Sequence, residues 1–327
     1  MAIIFRFKLC RVSFPLVLPV MLVLVRFTLQ AQTTTLYDFM LYDRSARIAA
    51  LSGNTVSLDG DIVNAFQNPA LFSKESSGQG SASFQKHFLD INSGFLAYGF
   101  ELEDIGSMGI GITYVSYGTF DEADELGNIT GSFSAADLAI QAGISRELYR
   151  WDNSMIVGGA AVKYIFSSLA GLRASAFASD FGLFYKHAPQ KFSMGISLQN
   201  LGFNVSTYNG IDEPLPVELR FALSKQLEGL PLILTAGFIR LNESSDGLLN
   251  RFRNFTIGGE FLLGNYVRLR FGYNNQLRQV LNVSESLGFS GLSAGFGAII
   301  NQFRFDYGLS SYGAVGSLHQ MTLSTTF

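Results

Sequence analysis

The feature that most constrains this chain is a two-residue alternation of large apolar side chains with small or charged ones. It recurs in fourteen short segments and runs to the last residue, Phe327. Phe303-Arg304-Phe305-Asp306-Tyr307-Gly308-Leu309 shows it most clearly. Successive side chains of a β-strand point to opposite faces, so such a segment has one apolar and one polar face. A soluble sandwich can alternate in the same way. Here the apolar face is aromatic, in a chain with 30 Phe, 13 Tyr and 34 Gly. Aromatic girdles at a membrane surface and close strand packing account for both counts.

The first 31 residues read as a secretory signal. Arg6, Lys8 and Arg11 form a basic start, Val12 to Val25 an apolar stretch, and Leu29-Gln30-Ala31 fits a cleavage site before Gln32. The apolar stretch is too short for a membrane helix and contains Pro15 and Pro19. Cys10 is the only cysteine and lies in this signal. Arg11 follows it, which argues against a lipid anchor, and the processed chain then has no disulfide. Without Arg6, Lys8, Arg11 and Arg26, 19 basic residues stand against 26 acidic ones, a formal charge of −7. That balance argues against a nucleic-acid partner, whose phosphates need basic patches. The uncharged run from Leu287 to Phe303 is broken by four glycines. A membrane position therefore requires a closed barrel, which satisfies its backbone hydrogen bonds internally.

The spacing predicts strands at 81–89, 93–101, 107–117, 133–145, 154–166, 175–187, 191–202, 217–226, 231–240, 254–263, 266–275, 288–300, 302–311 and 318–327. This is an all-β fold, a 14-stranded antiparallel transmembrane barrel over residues 80–327. Longer links (118–132, 203–216, 241–253, 276–287) alternate with shorter ones (102–106, 147–153, 188–190, 227–230, 264–265, 301), with 90–92 as an exception. Outer-membrane barrels place long loops outside and tight turns on the periplasmic side. Val217, Leu219, Phe221 and Leu223 are predicted to face lipid, with Glu218 and Arg220 inward. Val267, Leu269, Phe271 and Tyr273 are predicted to face lipid, with Arg268 and Arg270 inward. Met321, Leu323, Thr325 and Phe327 share one face, and Phe327 reads as a barrel-assembly signal.

Residues 32–79 lack the period and read as a hatch or plug. They contain a helix-like patch, Ser45 to Leu51, stopped by Gly53, and then Asn68-Pro69-Ala70-Leu71, where Pro69 ends whatever precedes it. The lumen charges Glu260, Arg268, Arg270, Arg304 and Asp306 are expected to form an internal polar network. Asp121-Glu122-Ala123-Asp124-Glu125 reads as a solvated acidic loop, with a cation shared with lipopolysaccharide as the sharper alternative. His87, His187 and His319 lack metal-ligand spacing, so no metal or other cofactor is expected. No Gly-x-Ser-x-Gly elbow occurs in a strand-to-helix context, and no enzymatic activity is expected.

Ser45-Ala46-Arg47, Ala49-Ala50-Leu51-Ser52-Gly53 and Asn68-Pro69-Ala70-Leu71 resemble the N-terminal region of FadL-like fourteen-stranded barrels, where the Asn-Pro-Ala segment belongs to a hatch. Tyr117 to Asp121, Gly131 to Leu138, Glu213-Pro214-Leu215-Pro216, Gly258 to Leu263, Arg270 to Asn274 and Phe303 to Gly308 are similar to the PorQ family, outer-membrane barrels of the type IX secretion system of Bacteroidota. The likeness extends from about residue 38 to the C-terminus. It implies a non-enzymatic component of the cell-surface attachment complex. Such a component anchors a PorZ-like surface protein, with PorU and PorV in the same complex, among outer-membrane lipid and lipopolysaccharide. The alternative is a FadL-type transporter of hydrophobic small molecules. That role calls for a lateral opening beside a lumen lined with apolar side chains.

Overall fold

The computed structural model describes residues 35–243, 248–281 and 289–327. The signal segment with Cys10 lies outside the described residues. Fourteen antiparallel strands close into a barrel: β1 Gln79–Lys86, β2 Asn92–Leu102, β3 Gly106–Ala123, β4 Ile129–Trp151, β5 Ser154–Leu169, β6 Leu172–His187, β7 Phe192–Ser206, β8 Glu218–Gln226, β9 Leu232–Phe238, β10 Phe255–Leu263, β11 Val267–Asn274, β12 Leu292–Ile300, β13 Phe303–Ser311 and β14 Ser317–Thr326. Each strand pairs with its sequence neighbours, and β1 pairs with β14 from Gln79↔Thr326 to Lys86↔His319. Closure leaves no unpaired edge, the condition for crossing lipid with strands. No described helix is long and apolar enough to cross a membrane.

The alternation fixes the faces as expected. Val267, Leu269 and Phe271 are exposed on the outside of β11, while Arg270 is buried inside. Glu218 and Arg220 are buried within the barrel, and Met321, Leu323 and Phe327 lie on its outside. Trp151 stacks with Tyr185 at one end of the wall, as an aromatic girdle does.

The wall is uneven. Strands β8 to β14 have 7 to 10 residues, but β3 has 18 and β4 has 23. Twenty-three residues of strand extend roughly 75 Å, well beyond an apolar band ~25 Å tall even when tilted. Part of this excess corrects the sequence reading. Residues 118–132 are not one long loop. A bulge between Ser116 and Thr119, with Gly118 at φ +83°, shifts the register. The pairing then resumes through Phe120↔Phe133 to Glu122↔Gly131. The bulge breaks the two-residue period, so the continuation cannot be seen as alternation. Asp121, Glu122 and Ala123 are thus strand residues, and only 124–128 turn, with Asp124 accepting from the Leu126 and Asn128 N–H groups. The 147–153 link is likewise mostly strand, since β4 continues to Trp151.

The core lies between the wall and residues 35–78, which fold inside the barrel. Helix α1, Ala46–Ala50, starts because Ser45 Oγ accepts the Ile48 N–H. It stops where Gly53, at φ +79°, donates to Ile48 O at 2.9 Å. Helix α2, Ile62–Ala65, is capped by Asp61. It ends before Pro69, which opens a single 3-10 turn, Pro69–Leu71, capped by Asn68. Ile62, Val63, Phe66, Leu71 and Phe72 bury against Phe95, Val157 and Phe184 of the wall. Tyr37, Phe39 and Met40 bury against Val115, Ile165, Ala176 and Ala178.

Candidate functional site

The wall approaches the inner segment most closely where its inward side chains are absent. A Cβ on Gly182 would collide with Asn68 Oδ1, one on Gly195 with the Val56 carbonyl, and one on Gly159 with the Pro69 backbone. Gly109 and Gly111 make room for the rings of Phe72 and Phe66. Asn68 is fully buried there, donating Nδ2 to Val56 O at 2.8 Å and Leu183 O at 3.2 Å. Its Oδ1 accepts the Ala70 N–H at 3.1 Å. Asn68, Pro69 and Ala70 therefore form one tight junction between the inner segment and β5 and β6.

On the opposite wall, six charged side chains form a closed ring of alternating sign. Arg47 Nη2 meets Glu260 Oε2 at 2.7 Å, and Arg270 Nε meets Glu260 Oε1 at 2.8 Å. Arg270 Nη1 meets Asp306 Oδ1 at 2.7 Å, and Arg304 Nε meets Asp306 Oδ2 at 2.8 Å. Arg304 Nη2 meets Asp61 Oδ2 at 2.6 Å, and Arg47 Nη1 returns to Asp61 at 3.3 Å. Three guanidinium and three carboxylate groups leave no net charge. Every member has two partners, the condition under which buried ions avoid a net desolvation loss. Burial opposes the Asp61 carboxylate, but Arg304, Arg47 and the Val63 N–H outweigh it and hold the group below the usual carboxylate range.

Four of the five lumen charges expected from the sequence meet in this ring. Arg268 does not: it lies at the end of β11 and donates to Gly264 O at 2.8 Å and Val267 O at 2.9 Å. Its neighbour in alternation, Arg270, is deeper in the lumen. The other two ring members, Arg47 and Asp61, belong to the inner segment, where no periodicity marks them.

A second buried cluster was missed by the sequence reading. Lys163 on β5 donates Nζ to Asp180 Oδ2 at 2.7 Å and Asn200 Oδ1 at 2.6 Å. Gln141 donates to the same carboxylate at 3.1 Å, and the Asn200 N–H to Asp180 Oδ1 at 2.8 Å. The same alternation that singled out Arg270 also puts Lys163 and Asp180 inside.

The histidines have hydroxyl neighbours: His87 with Ser93 at 2.8 Å, His187 with Ser154 at 2.7 Å and His319 with Tyr307 at 2.6 Å. Among the described residues no group of three His, Cys, Asp or Glu side chains could hold a metal ion. Phe327 is exposed on the outer surface, and its N–H donates to Gly78 O at 2.9 Å. A cavity of about 530 Å³ lies over the inner segment, lined among others by Asp43, Gln85, His87, Arg220 and Tyr312.

No family model matches the chain, and no curated protein matches it. Solved structures do. A TodX deltaS2 monoaromatic hydrocarbon channel is 15% identical with a TM-score of 0.56, over 89% of this chain and 100% of that one. The TbuX toluene transporter of Ralstonia pickettii is 13% identical with a TM-score of 0.55, over 89% and 100%. The CymD monoaromatic hydrocarbon channel is 10% identical with a TM-score of 0.51, over 88% and 98%. At such identities the likeness is one of fold: the chain has the architecture of outer-membrane hydrocarbon channels, including their full length.

Proposed function

We propose that this chain is a plugged outer-membrane barrel that works without catalysis, as a surface-anchoring component of type IX secretion. The reading draws its specific content from the resemblance to the PorQ family in the residues of β3, β4, β10, β11 and β13. The observation that carries it is the clamped lumen. The inner segment is tied to the wall by the ion ring and the Asn68 junction. The described strand pairs also close the circle without a gap. What such a barrel offers is its outer end, with the links 207–217, 239–254 and 275–291 and the overhanging β3–β4 hairpin. The partner is a PorZ-like protein, with PorU and PorV in the same complex. Deleting the gene is expected to stop cargo secretion and release the PorZ-like partner from the cell surface. Normal secretion with the partner retained sinks the proposal.

A second reading, a FadL-type transporter of hydrophobic small molecules, has the more direct support of the solved structures, two monoaromatic hydrocarbon channels and a toluene transporter. Against it stand the charged lining of the lumen and the continuous pairing of β2 with β3 and β3 with β4 at membrane height. The discriminating measurement is uptake of toluene and of a long-chain fatty acid by vesicles containing the purified barrel. Uptake above that of empty vesicles favours transport, and none favours anchoring.

A further inference from the structure

The cavity over the inner segment has a chemistry that neither role uses. Its volume, about 530 Å³, falls within the range typical of small-molecule sites. Five carboxylate and guanidinium side chains line it: Asp38, Asp43, Glu218, Arg220 and Arg240. Both arginines have an ion-pair partner, although the buried Arg220 Nε and Glu218 Oε2 make no hydrogen bond. Arg220 pairs with Glu218 at 2.7 Å and donates to Gly53 O at 2.5 Å, and Arg240 pairs with Glu243 at 3.1 Å. Among the described residues, Asp38 and Asp43 have no ion-pair partner. Among the described residues the Asp43 side chain has no hydrogen-bond partner, although it abuts Gly53 on the cavity wall. Gln85 lines the same space, and its buried Oε1 has no hydrogen-bond partner. A buried acceptor without a donor, such as Gln85 Oε1, is costly, and a donor supplied by a ligand removes that cost; the half-buried Asp43 carboxylate beside the cavity supplies the charge.

The remaining walls are aromatic or apolar. Tyr42 lies against the His87 ring at 4.6 Å, and Phe88 packs edge-on to Tyr312 at 5.5 Å. Burial lowers His87 to about 4, so it brings no positive charge at neutral pH. We infer that this cavity binds a small organic ammonium ion, a primary amine on an aromatic or aliphatic body. Its –NH₃⁺ group would meet Asp43 and the Gln85 carbonyl, and its body the faces of Tyr42, Phe88 and Tyr312. Three donors on one cation match the excess of acceptors, and aromatic faces attract such cations. A bare divalent cation fits less well, because no metal-ligating group of three forms here. A hydrocarbon would leave the acceptors unpaired. The inference does not depend on which role in the preceding section holds.

The test uses the full-length barrel in detergent micelles, titrated calorimetrically with phenethylamine, 2-phenylethanol and phenylacetate at about pH 7.5, where Asp43 is ionised. Phenethylamine is expected to bind about tenfold more tightly than the alcohol, because charge-assisted hydrogen bonds are the stronger ones. Phenylacetate is expected not to bind. Asp43→Asn should abolish the preference for the amine over the alcohol, and Gln85→Met should weaken amine binding with the heat-modifiable gel mobility of the folded barrel unchanged. Lowering the pH below the Asp43 value of about 6 should weaken amine binding in the wild type. Equal affinity for amine and alcohol overturns the inference. So does undiminished amine binding in Gln85→Met, which serves alone if Asp43→Asn does not fold.

Discussion

Arg47 and Glu260, 213 positions apart in the chain, meet through two parallel contacts, Nε to Oε1 at 3.2 Å and Nη2 to Oε2 at 2.7 Å. This bidentate pair ties the inner segment to the barrel wall in a planar, geometrically specific way. Removing one partner of a buried pair typically costs ~3–5 kcal/mol, because the other charge stays buried. Here Glu260 keeps Arg270 and Asp61 keeps Arg304, so the loss should fall near the lower bound. Arg47→Met is therefore expected to loosen residues 44–72 while the barrel survives. Hydrogen exchange should rise in that segment, with the heat-modifiable mobility of the barrel retained. Unchanged exchange would mean that the ring does not hold the segment.

The wall glycines give a steric test of the same attachment. Gly182→Ala puts a methyl group into Asn68 Oδ1, and Gly195→Ala puts one into the Val56 carbonyl. Neither contact is the free end of a flexible chain, so overpacking of ~1–3 kcal/mol is expected. Gly94→Ala is the control, since its nearest neighbour is Ser83 O at 3.6 Å. Limited proteolysis should cut within residues 50–72 in the first two variants and not in the control. Equal resistance in all three would show that the close approach carries no strain.

Much of this architecture was legible in the residues. All fourteen strands lie where the alternation predicts them, because lipid outside and polar groups inside impose a period that no other local constraint competes with. Four of the six ring members were legible. Glu260, Arg270, Arg304 and Asp306 stand out as charges on apolar strands, but Arg47 and Asp61 sit in a segment with no period to mark direction. The close approach of the inner segment was hidden for a different reason. Gly109, Gly182 and Gly195 look like ordinary strand glycines, and only the segment packed against them shows why a side chain is excluded. The continuation of β3 past Gly118 was lost to a bulge, which shifts parity.

Two acids of the inner segment should respond to pH in opposite ways. Asp61 is held below its ordinary value, so its stabilisation is present above about pH 4 and is lost as the pH falls below it. Burial, opposed by Arg220, pushes Asp43 up to about 6. Its neutral form is favoured in the fold, so that contribution is full below about pH 4 and is lost as the pH rises through 6. The two acids alone predict greatest protection of the inner segment near pH 4, and His87, neutral in the fold with a value lowered from 6.5 to about 4, adds a rise over that interval which opposes the Asp43 decline. Asp43→Asn should remove the decline between about pH 4 and 6 and leave the His87 rise exposed. Exchange rates corrected for intrinsic pH dependence measure this, and a variant profile that still declines would exclude Asp43 as its source.

Phe327 offers a test that separates assembly from stability. Its ring is 84% exposed, so little apolar burial is lost when it is removed, and its N–H bond to Gly78 O lies at the strand end. Surface changes of this kind usually alter stability by no more than ~0.5 kcal/mol. The β1–β14 closure, running from Gln79↔Thr326 inward, does not include it. Yet an aromatic residue ending an amphipathic last strand resembles the signal that the bacterial assembly machinery reads. Deleting Phe327 is therefore expected to lower the amount of barrel in the outer membrane of growing cells. The same variant refolded in detergent should match the wild type in its urea midpoint. A midpoint that falls together with the cellular level would assign Phe327 a structural role instead, and an unchanged cellular level would remove it from assembly altogether.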